Sequence, residues 1–158
     1  MTHTLPALGT IEYFLECVRG VIEPDVFGSG QCHTLAGVMQ EIFGGEMFAI
    51  MRHEVTEQGE RFSTTYSHMV CEIDNQCYDI DGQDADERWC SKWSEAPDEE
   101  GLTSEFEFVA VAPTELLTFI GKHRGNPMDH DVLAKLRDVV EFNVPVMPSP
   151  SFSLPAMR

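Results

Sequence analysis

The segment from residue 46 to residue 81 constrains the fold most, because apolar and polar residues alternate along three consecutive stretches. Residues 46–55 and 62–73 predict two strands, separated by a polar loop over 56–60. Asp74 and Asn75 predict a two-residue turn into a third strand, 76–81. A further stretch, 105–111, predicts a fourth strand. The sequence therefore predicts a small antiparallel sheet.

Helices are predicted on both sides of this segment. Apolar spacing and helix-start signals indicate helices over 10–19, 31–43, 113–120 and 129–142. Residues 27–30 predict a flexible turn before the second helix. Residues 84–100 are polar and acidic, and we expect an irregular or short-helical segment whose two tryptophans, Trp89 and Trp93, pack back on the sheet.

These elements predict an α+β fold in which N-terminal helices pack on the antiparallel sheet and C-terminal helices complete the domain. A chain of 158 residues is long enough for one core, and we expect a single domain over residues 1–143. Residues 144–158 are proline-rich, which predicts an extended tail. The composition, 42% hydrophobic and 23% charged, is that of a globular chain.

The chain is strongly acidic, with 27 acidic and 10 basic residues and a formal net charge of −17. This charge repels nucleic-acid phosphate and anionic membrane surfaces, so we expect no direct nucleic-acid or membrane partner. It favours cationic substrates or basic partner surfaces on encounter. No basic-then-apolar signal begins the chain, and no apolar run approaches the roughly 18 residues of a membrane span. With five scattered cysteines, this predicts a reduced, cytoplasmic setting.

Cys32 is the residue that first suggests a reaction. It lies on the first turn of the helix predicted over 31–43, on the side that faces the core. Free backbone N–H groups and the helix dipole favour a thiolate there and can donate hydrogen bonds to an oxyanion. We expect the neighbouring His33 to lie at the surface.

The predicted hairpin places a histidine and two aspartates on one face. If Asp74 and Asn75 form the turn, His68 opposes Asp81, and Asp79 lies on the diagonal from His68. If the turn shifts by one residue, Asp81 becomes the diagonal neighbour instead. A carboxylate beside an imidazole fixes its tautomer and stabilises the imidazolium, so that the imidazole can take the proton of a thiol. Asp79 is the first candidate for this carboxylate and Asp81 the second.

The order of cysteine, histidine and aspartate resembles that of the transglutaminase-like and papain-like cysteine enzymes. The motifs are Gly-Gln-Cys at a helix start, Ser-His-Met-Val on a strand and Tyr-Asp-Ile-Asp-Gly on the next strand, and they span residues 30–82. The resemblance implies that Cys32 is the nucleophile, His68 the general base and Asp79 the orienting carboxylate, on a papain-like or transglutaminase-like core. Gly30 and Gln31, directly before the nucleophile, are the candidates for oxyanion or substrate-adjacent positions.

Together these residues predict an enzyme that attacks an amide or ester through Cys32 and passes the acyl group to water or an amine, as a peptidase, deamidase or transglutaminase does. The expected substrate is a protein, a peptide or a small amide or ester. The competing hypothesis is a non-catalytic acidic protein that occupies a basic partner surface. No zinc-ligand spacing and no glycine-rich phosphate loop occurs, so we expect neither a metal nor a cofactor.

Overall fold

The computed structural model describes residues 10–93 and 95–143. Its α-helices are α1 (Ile11–Arg19), α2 (Cys32–Phe43), α3 (Ala85–Cys90), α4 (Leu116–Lys122) and α5 (His130–Asn143). Its strands are β1 (Glu46–Val55), β2 (Arg61–Ile73), β3 (Gln76–Tyr78) and β4 (Thr103–Val111). A π-helical turn (Phe27–Gln31) precedes α2, and a 3₁₀ turn (Pro113–Glu115) precedes α4. The tail predicted over 144–158 lies outside the described residues.

The four strands form one antiparallel sheet in the order β3-β2-β1-β4. Helices together with this sheet confirm the predicted α+β class. Asp74 and Asn75 form the hairpin turn, with φ of 51° and 66°, and positive φ at both positions is what a type I′ turn requires. Ile73 pairs with Gln76, which is the first of the two predicted registers.

The third strand is shorter than the sequence predicted. β3 ends at Tyr78, and the chain then bends over residues 79–82. The N–H of Asp79 donates to the carbonyl of Gly82 (3.2 Å), and the N–H of Gly82 donates to the carbonyl of Asp79 (3.0 Å). The prediction that His68 and Asp81 oppose each other is therefore wrong, because the ladder stops before it reaches them.

The sheet buries an apolar cluster on each face. The larger cluster lies between the sheet and helices α1, α2, α4 and α5. The smaller cluster contains Ile50, Val70 and Ala85, and α3 covers it. Trp89 packs against the smaller cluster, and Trp93 contacts Phe106 of β4 with ring centroids 5.5 Å apart. The predicted packing of both tryptophans on the sheet is confirmed.

Two side chains cap helices at the positions where the sequence places helix starts. Thr10 Oγ1 accepts a hydrogen bond from the N–H of Tyr13 (3.1 Å), which confirms the predicted start of α1. Asp129 Oδ1 accepts from the N–H groups of Asp131 (2.9 Å) and Val132 (3.2 Å) at the start of α5. Within the described ranges, no helix combines the length and apolar character that a membrane span needs.

Candidate active site

Cys32 is the first residue of α2, and 7% of its surface is exposed. α2 packs against β2, which carries Tyr66. The Cys32 Sγ lies 3.4 Å from the Tyr66 hydroxyl oxygen. The start of a helix favours a thiolate over a thiol, because the helix dipole is positive there.

The chain enters α2 through the π-helical turn Phe27–Gln31. The prediction of a flexible turn over 27–30 is wrong, because these residues take up helical hydrogen bonding. Gly30 has a φ of +128°, and a Cβ at this position would overlap the side chain of Asn126. Only glycine combines this conformation with so close an approach. π-Helical turns occur often at functional sites.

Gln31 holds the segment that leads into α5. Its Nε2 donates to the carbonyl of Pro127 (2.9 Å), and its Oε1 accepts from the N–H of Asp129 (2.9 Å). Oε1 also accepts from the hydroxyl of Thr34 (2.8 Å). The side-chain amide is engaged in these contacts, so it is the backbone of Gln31 that lies beside Cys32.

His68 and Asp79 form a buried pair. His68 Nε2 lies 3.0 Å from Asp79 Oδ2, and the two residues are 3% and 6% exposed. His68 lies on β2, and Asp79 is the first residue after β3.

The second carboxylate oxygen of Asp79 is also occupied. Asp79 Oδ1 accepts from Arg88 Nη2 (2.8 Å) and from the backbone N–H of Asp81 (2.9 Å). Burial raises the pKa of Asp79, but the bonds from His68 and Arg88 lower it below its ordinary value. The Asp81 side chain is 65% exposed, and its Oδ2 lies 3.9 Å from Arg88 Nη1. The structure thus brings Asp79 to His68 and leaves the Asp81 side chain in solvent.

Trp89 of α3 fixes the plane of the His68 ring. The two rings stack with centroids 4.0 Å apart and an angle of 10° between their planes. Trp89 Nε1 donates to the hydroxyl of Ser67 (2.6 Å), and Lys92 Nζ lies 3.8 Å from the Trp89 ring centroid. The imidazole is therefore held at its edge by Asp79 and on its face by Trp89.

The ionised forms of Cys32 and His68 stabilise each other. Burial raises the pKa of the Cys32 thiol, but interactions with His33, His68 and Tyr66 outweigh it and lower the pKa to about 6. Burial lowers the pKa of His68, but Asp79 and Cys32 raise it to about 9. Between these two values the thiolate and the imidazolium coexist. Burial, followed by the neighbouring thiolate, raises the pKa of Tyr66, so its hydroxyl stays protonated and can donate to Sγ.

His33 is fully buried, at 0% exposure. The prediction that it lies at the surface is wrong, because α2 is buried around its whole circumference over its first two turns. Neither ring nitrogen of His33 has a hydrogen-bond partner of ordinary geometry within the described chain. His33 nevertheless lies close enough to lower the pKa of Cys32.

A cavity of about 180 Å³ opens beside the His68–Asp79 pair. Its charged lining includes the carboxylates Asp25 and Asp81 and the cations Arg88 and Lys92. Because both signs of charge are present, this lining does not by itself select a cationic ligand. The cavity approaches the site from the imidazole, whereas Cys32 lies outside its lining.

The other cysteines differ from Cys32. All five are free thiols. Burial raises the pKa of Cys71 to about 12 and that of Cys77 to about 11, and it also raises the pKa of Cys90.

Among residues 10–93 and 95–143, no three His, Cys, Asp or Glu side chains converge in a way that could hold a metal ion.

No family model, no curated protein and no solved structure matches this chain. The resemblance to transglutaminase-like and papain-like enzymes therefore depends on the residues of the site alone.

Two members of the site, Tyr66 and Arg88, were missed by the sequence patterns. Tyr66 stands two residues before His68 on the same predicted strand, but the bulge at Ser67 pairs these two residues with Met51 and Ile50, on opposite faces of the sheet. Regular alternation along the strand therefore could not have indicated the place of Tyr66 in the site. Arg88 lies on α3, nine residues after Asp79. No pattern in the segment 84–100 indicates that its side chain turns back to that carboxylate.

Proposed function

We propose that this protein is a cysteine-nucleophile acyl-transfer enzyme in which Cys32 attacks, His68 transfers protons and Asp79 orients His68. One observation carries the proposal: the buried His68 ring, whose Nε2 lies 3.0 Å from Asp79 Oδ2, is close enough to Cys32 at the start of α2 to lower the pKa of its thiol. A pKa of about 6 means that the thiolate predominates over the thiol at pH 7. An ionised cysteine beside a protonated histidine is the reactive state of such enzymes.

The proposed reaction begins when the Cys32 thiolate attacks the carbonyl carbon of an amide or ester. The new C–S bond moves the carbonyl electrons onto oxygen. As the intermediate collapses, His68 gives its proton to the leaving nitrogen or oxygen, and a thioester remains on Cys32. Water or an amine then attacks the thioester while His68 takes its proton. Collapse of the second intermediate releases the acyl product and restores the thiolate and imidazolium.

The backbone around Cys32 supplies the polar environment for the oxyanion. The first turn of α2 is positive, and the hydroxyl of Tyr66 is a donor 3.4 Å from Sγ. Tyr66 can therefore donate a hydrogen bond to the negatively charged sulfur before attack. After attack, the same hydroxyl can donate to the negatively charged carbonyl oxygen.

A papain-like or transglutaminase-like core is part of this proposal. In its support, a helix that begins with Cys32 packs on an antiparallel sheet, and the second strand of that sheet carries His68. Asp79 follows the next strand. This is the arrangement that the resemblance implies.

The test uses p-nitrophenyl acetate, a small ester that needs no specific binding site. We expect an acetyl thioester on Cys32, detected by peptide mass spectrometry, and a pH dependence of acetylation with its midpoint near 6. Cys32→Ser should remove the acetyl group. Cys17→Ser, which alters a half-buried cysteine of α1, should leave the acetylation unchanged. Equal acetylation of all five cysteines, or reaction of Cys32 only under alkaline conditions, would contradict the proposal.

A further inference from the structure

One edge of the sheet is open next to Cys32 and His68. β1 pairs with β2 along its whole length, but β3 pairs only with residues 71–73 of β2. Residues 62–67 of β2 therefore have no strand on their outer side among the residues that the structure describes. We call residues 62–67 the open edge.

The open edge lacks the charges and prolines that often protect such edges. Natural edge strands carry lysines, other charges or prolines, or are covered, because an exposed row of N–H and C=O groups recruits other strands. The open edge reads Phe-Ser-Thr-Thr-Tyr-Ser and contains neither a charge nor a proline, in a chain of which 23% is charged. Phe62 is 67% exposed, and Thr64 and Thr65 are exposed as well.

The open edge leads directly to the reactive groups. Tyr66 is hydrogen-bonded to the Cys32 Sγ, and His68 follows the edge on the same strand. The register with β1 leaves Phe62 and Ser67 unpaired as bulges, so residues 63–66 form a regular stretch between them. Four residues of a strand point two sets of backbone N–H and C=O groups outward. This matches the backbone of a short peptide.

We propose that the open edge binds an extended peptide as an additional strand and so delivers a peptide carbonyl to Cys32. The inference depends on the proposed function and narrows its substrate class to peptides and unfolded protein segments. We expect a peptide, rather than a second copy of the chain, because the edge ends at Tyr66 and His68. A peptide bond bound at that end would lie next to the groups that could cleave it. Backbone hydrogen bonds would supply affinity with little dependence on side chains.

The first test compares vinyl sulfone probes that alkylate Cys32. An alanyl tripeptide vinyl sulfone should label Cys32 at least about tenfold faster than an acetyl-capped vinyl sulfone, since it adds two or more backbone hydrogen bonds. N-methylation removes single N–H donors without changing the reactive group. At least one of the N-methylated tripeptide probes should label Cys32 no faster than the acetyl-capped vinyl sulfone does. Equal rates for the two parent probes, or a gain that survives every N-methylation, would overturn the inference.

The second test blocks the edge from the side of the protein with Thr64→Pro and Thr65→Pro. Backbone groups alternate between β1 and the outer side, so one of these prolines removes an outward N–H and the other breaks the ladder with β1. In the variant that keeps the wild-type melting temperature, the tripeptide probe should label Cys32 no faster than the acetyl-capped probe. The rate of labelling by iodoacetamide should stay at the wild-type value. A tolerated proline that leaves the gain intact would overturn the inference. If neither variant folds, the N-methylated probes decide.

Two other outcomes are distinguishable. If neither iodoacetamide nor either vinyl sulfone labels Cys32 ahead of the other cysteines at pH 7, the proposed function itself fails. If Cys32 reacts readily but the tolerated proline variant changes the native mass of the protein without changing the tripeptide gain, the open edge is a contact between two copies. In that case the proposed function stands and the peptide-docking inference is wrong.

Discussion

The two sides of the candidate active site differ in how completely their polar groups are satisfied. The imidazole side consists of His68, Asp79 and Arg88, and the thiol side consists of Cys32, His33 and Tyr66. On the imidazole side, both carboxylate oxygens of Asp79 accept hydrogen bonds. On the thiol side, Sγ is hydrogen-bonded to Tyr66, but the fully buried His33 has no bonded partner within the described chain.

This difference indicates how stability and reactivity are related on each side. A buried polar group without a hydrogen bond costs about 1–3 kcal/mol of folding free energy. The bonds of Asp79 stabilise the fold and also orient His68, so stability and reactivity should fall together when they are lost. The unpaired ring of His33 instead costs folding free energy, and its lowering of the pKa of Cys32 offsets that cost only where the thiol is ionised. Below pH 6, where the Cys32 thiol is protonated in the folded protein, changes on the two sides should therefore have opposite effects on stability.

The largest effect is expected from Asp79→Asn, on the imidazole side. This change removes the negative charge that raises the pKa of His68, and it removes the closer of the two carboxylates that pair with Arg88. We expect acetylation by p-nitrophenyl acetate to slow by about 10²–10⁴-fold, because proton transfer and ring orientation both suffer. The unfolding free energy should fall by about 1–3 kcal/mol. Stopped-flow rates and urea denaturation measure the two quantities.

The His68 ring reports on the same change by NMR. In the wild type its titration should occur near pH 9, and in Asp79→Asn it should occur at lower pH. A variant that is slow but whose His68 still titrates near 9 would show that Asp79 does not act through the ring. Asp79 and His68 would then not act together in the reaction.

On the thiol side, we expect His33→Leu to stabilise the protein. Leucine fills a similar volume and removes a buried polar group, so at pH 5, where the Cys32 thiol is protonated in the folded protein too, the unfolding free energy should rise by about 1–2 kcal/mol. The pKa of Cys32 should rise at the same time, because one of the interactions that lower it is lost. Thiolate absorbance during a pH titration, together with urea denaturation, gives both quantities.

His53→Leu is the matched control for His33→Leu. His53 is also buried, at 4% exposure, but both of its nitrogens are bonded, to Thr64 Oγ1 (2.7 Å) and Glu107 Oε1 (2.8 Å). Its replacement should therefore destabilise the protein. If His33→Leu destabilises the protein to the same extent, or leaves the pKa of Cys32 unchanged, the contrast between the two sides is lost.

The pH dependence of stability joins the two sides. His68 has a folded pKa of about 9 against an ordinary 6.5, so alone it contributes stability that is complete below 6.5 and lost as pH rises through 9. Cys32 has a folded pKa of about 6 against an ordinary 9.0, so alone it contributes stability that is complete above 9.0 and lost as pH falls through 6. Between 6.5 and 9 these two slopes cancel.

Cys32→Ser should remove this cancellation. Serine does not ionise, so the stability of the variant relative to the wild type should fall with rising pH, by up to about 1.4 kcal/mol per pH unit. The fall should begin near pH 6, the folded pKa of Cys32, and end at the folded pKa of His68, which lies below the wild-type value because the thiolate is gone. Denaturation curves at several pH values measure the difference. Parallel curves for the two proteins would mean that Cys32 and His68 do not share a charge pair.

The sequence predicted the elements of this site better than its contacts. Cys32, His68 and Asp79 stand at recognisable places in a helix and a hairpin; His68 bonds to Asp79 and lies close enough to Cys32 to lower its pKa. Local periodicity could not reveal that β3 ends at Tyr78, because the bend over 79–82 depends on backbone bonds that several sequences could make. It also could not reveal the burial of His33, which results from elements packing around α2 from distant parts of the chain.

The smallest effect is expected from Asp81→Asn, the substitution at the aspartate that the sequence analysis ranked second to Asp79. Asp81 bonds to Asp79 through its backbone N–H, which asparagine retains, and its side chain is 65% exposed. Its ion pair with Arg88, at 3.9 Å, is of the exposed kind that contributes about 0–1 kcal/mol. Acetylation by p-nitrophenyl acetate should stay within about twofold of the wild type. A loss comparable to that of Asp79→Asn would mean that the exposed carboxylate, and not the buried one, determines the state of His68.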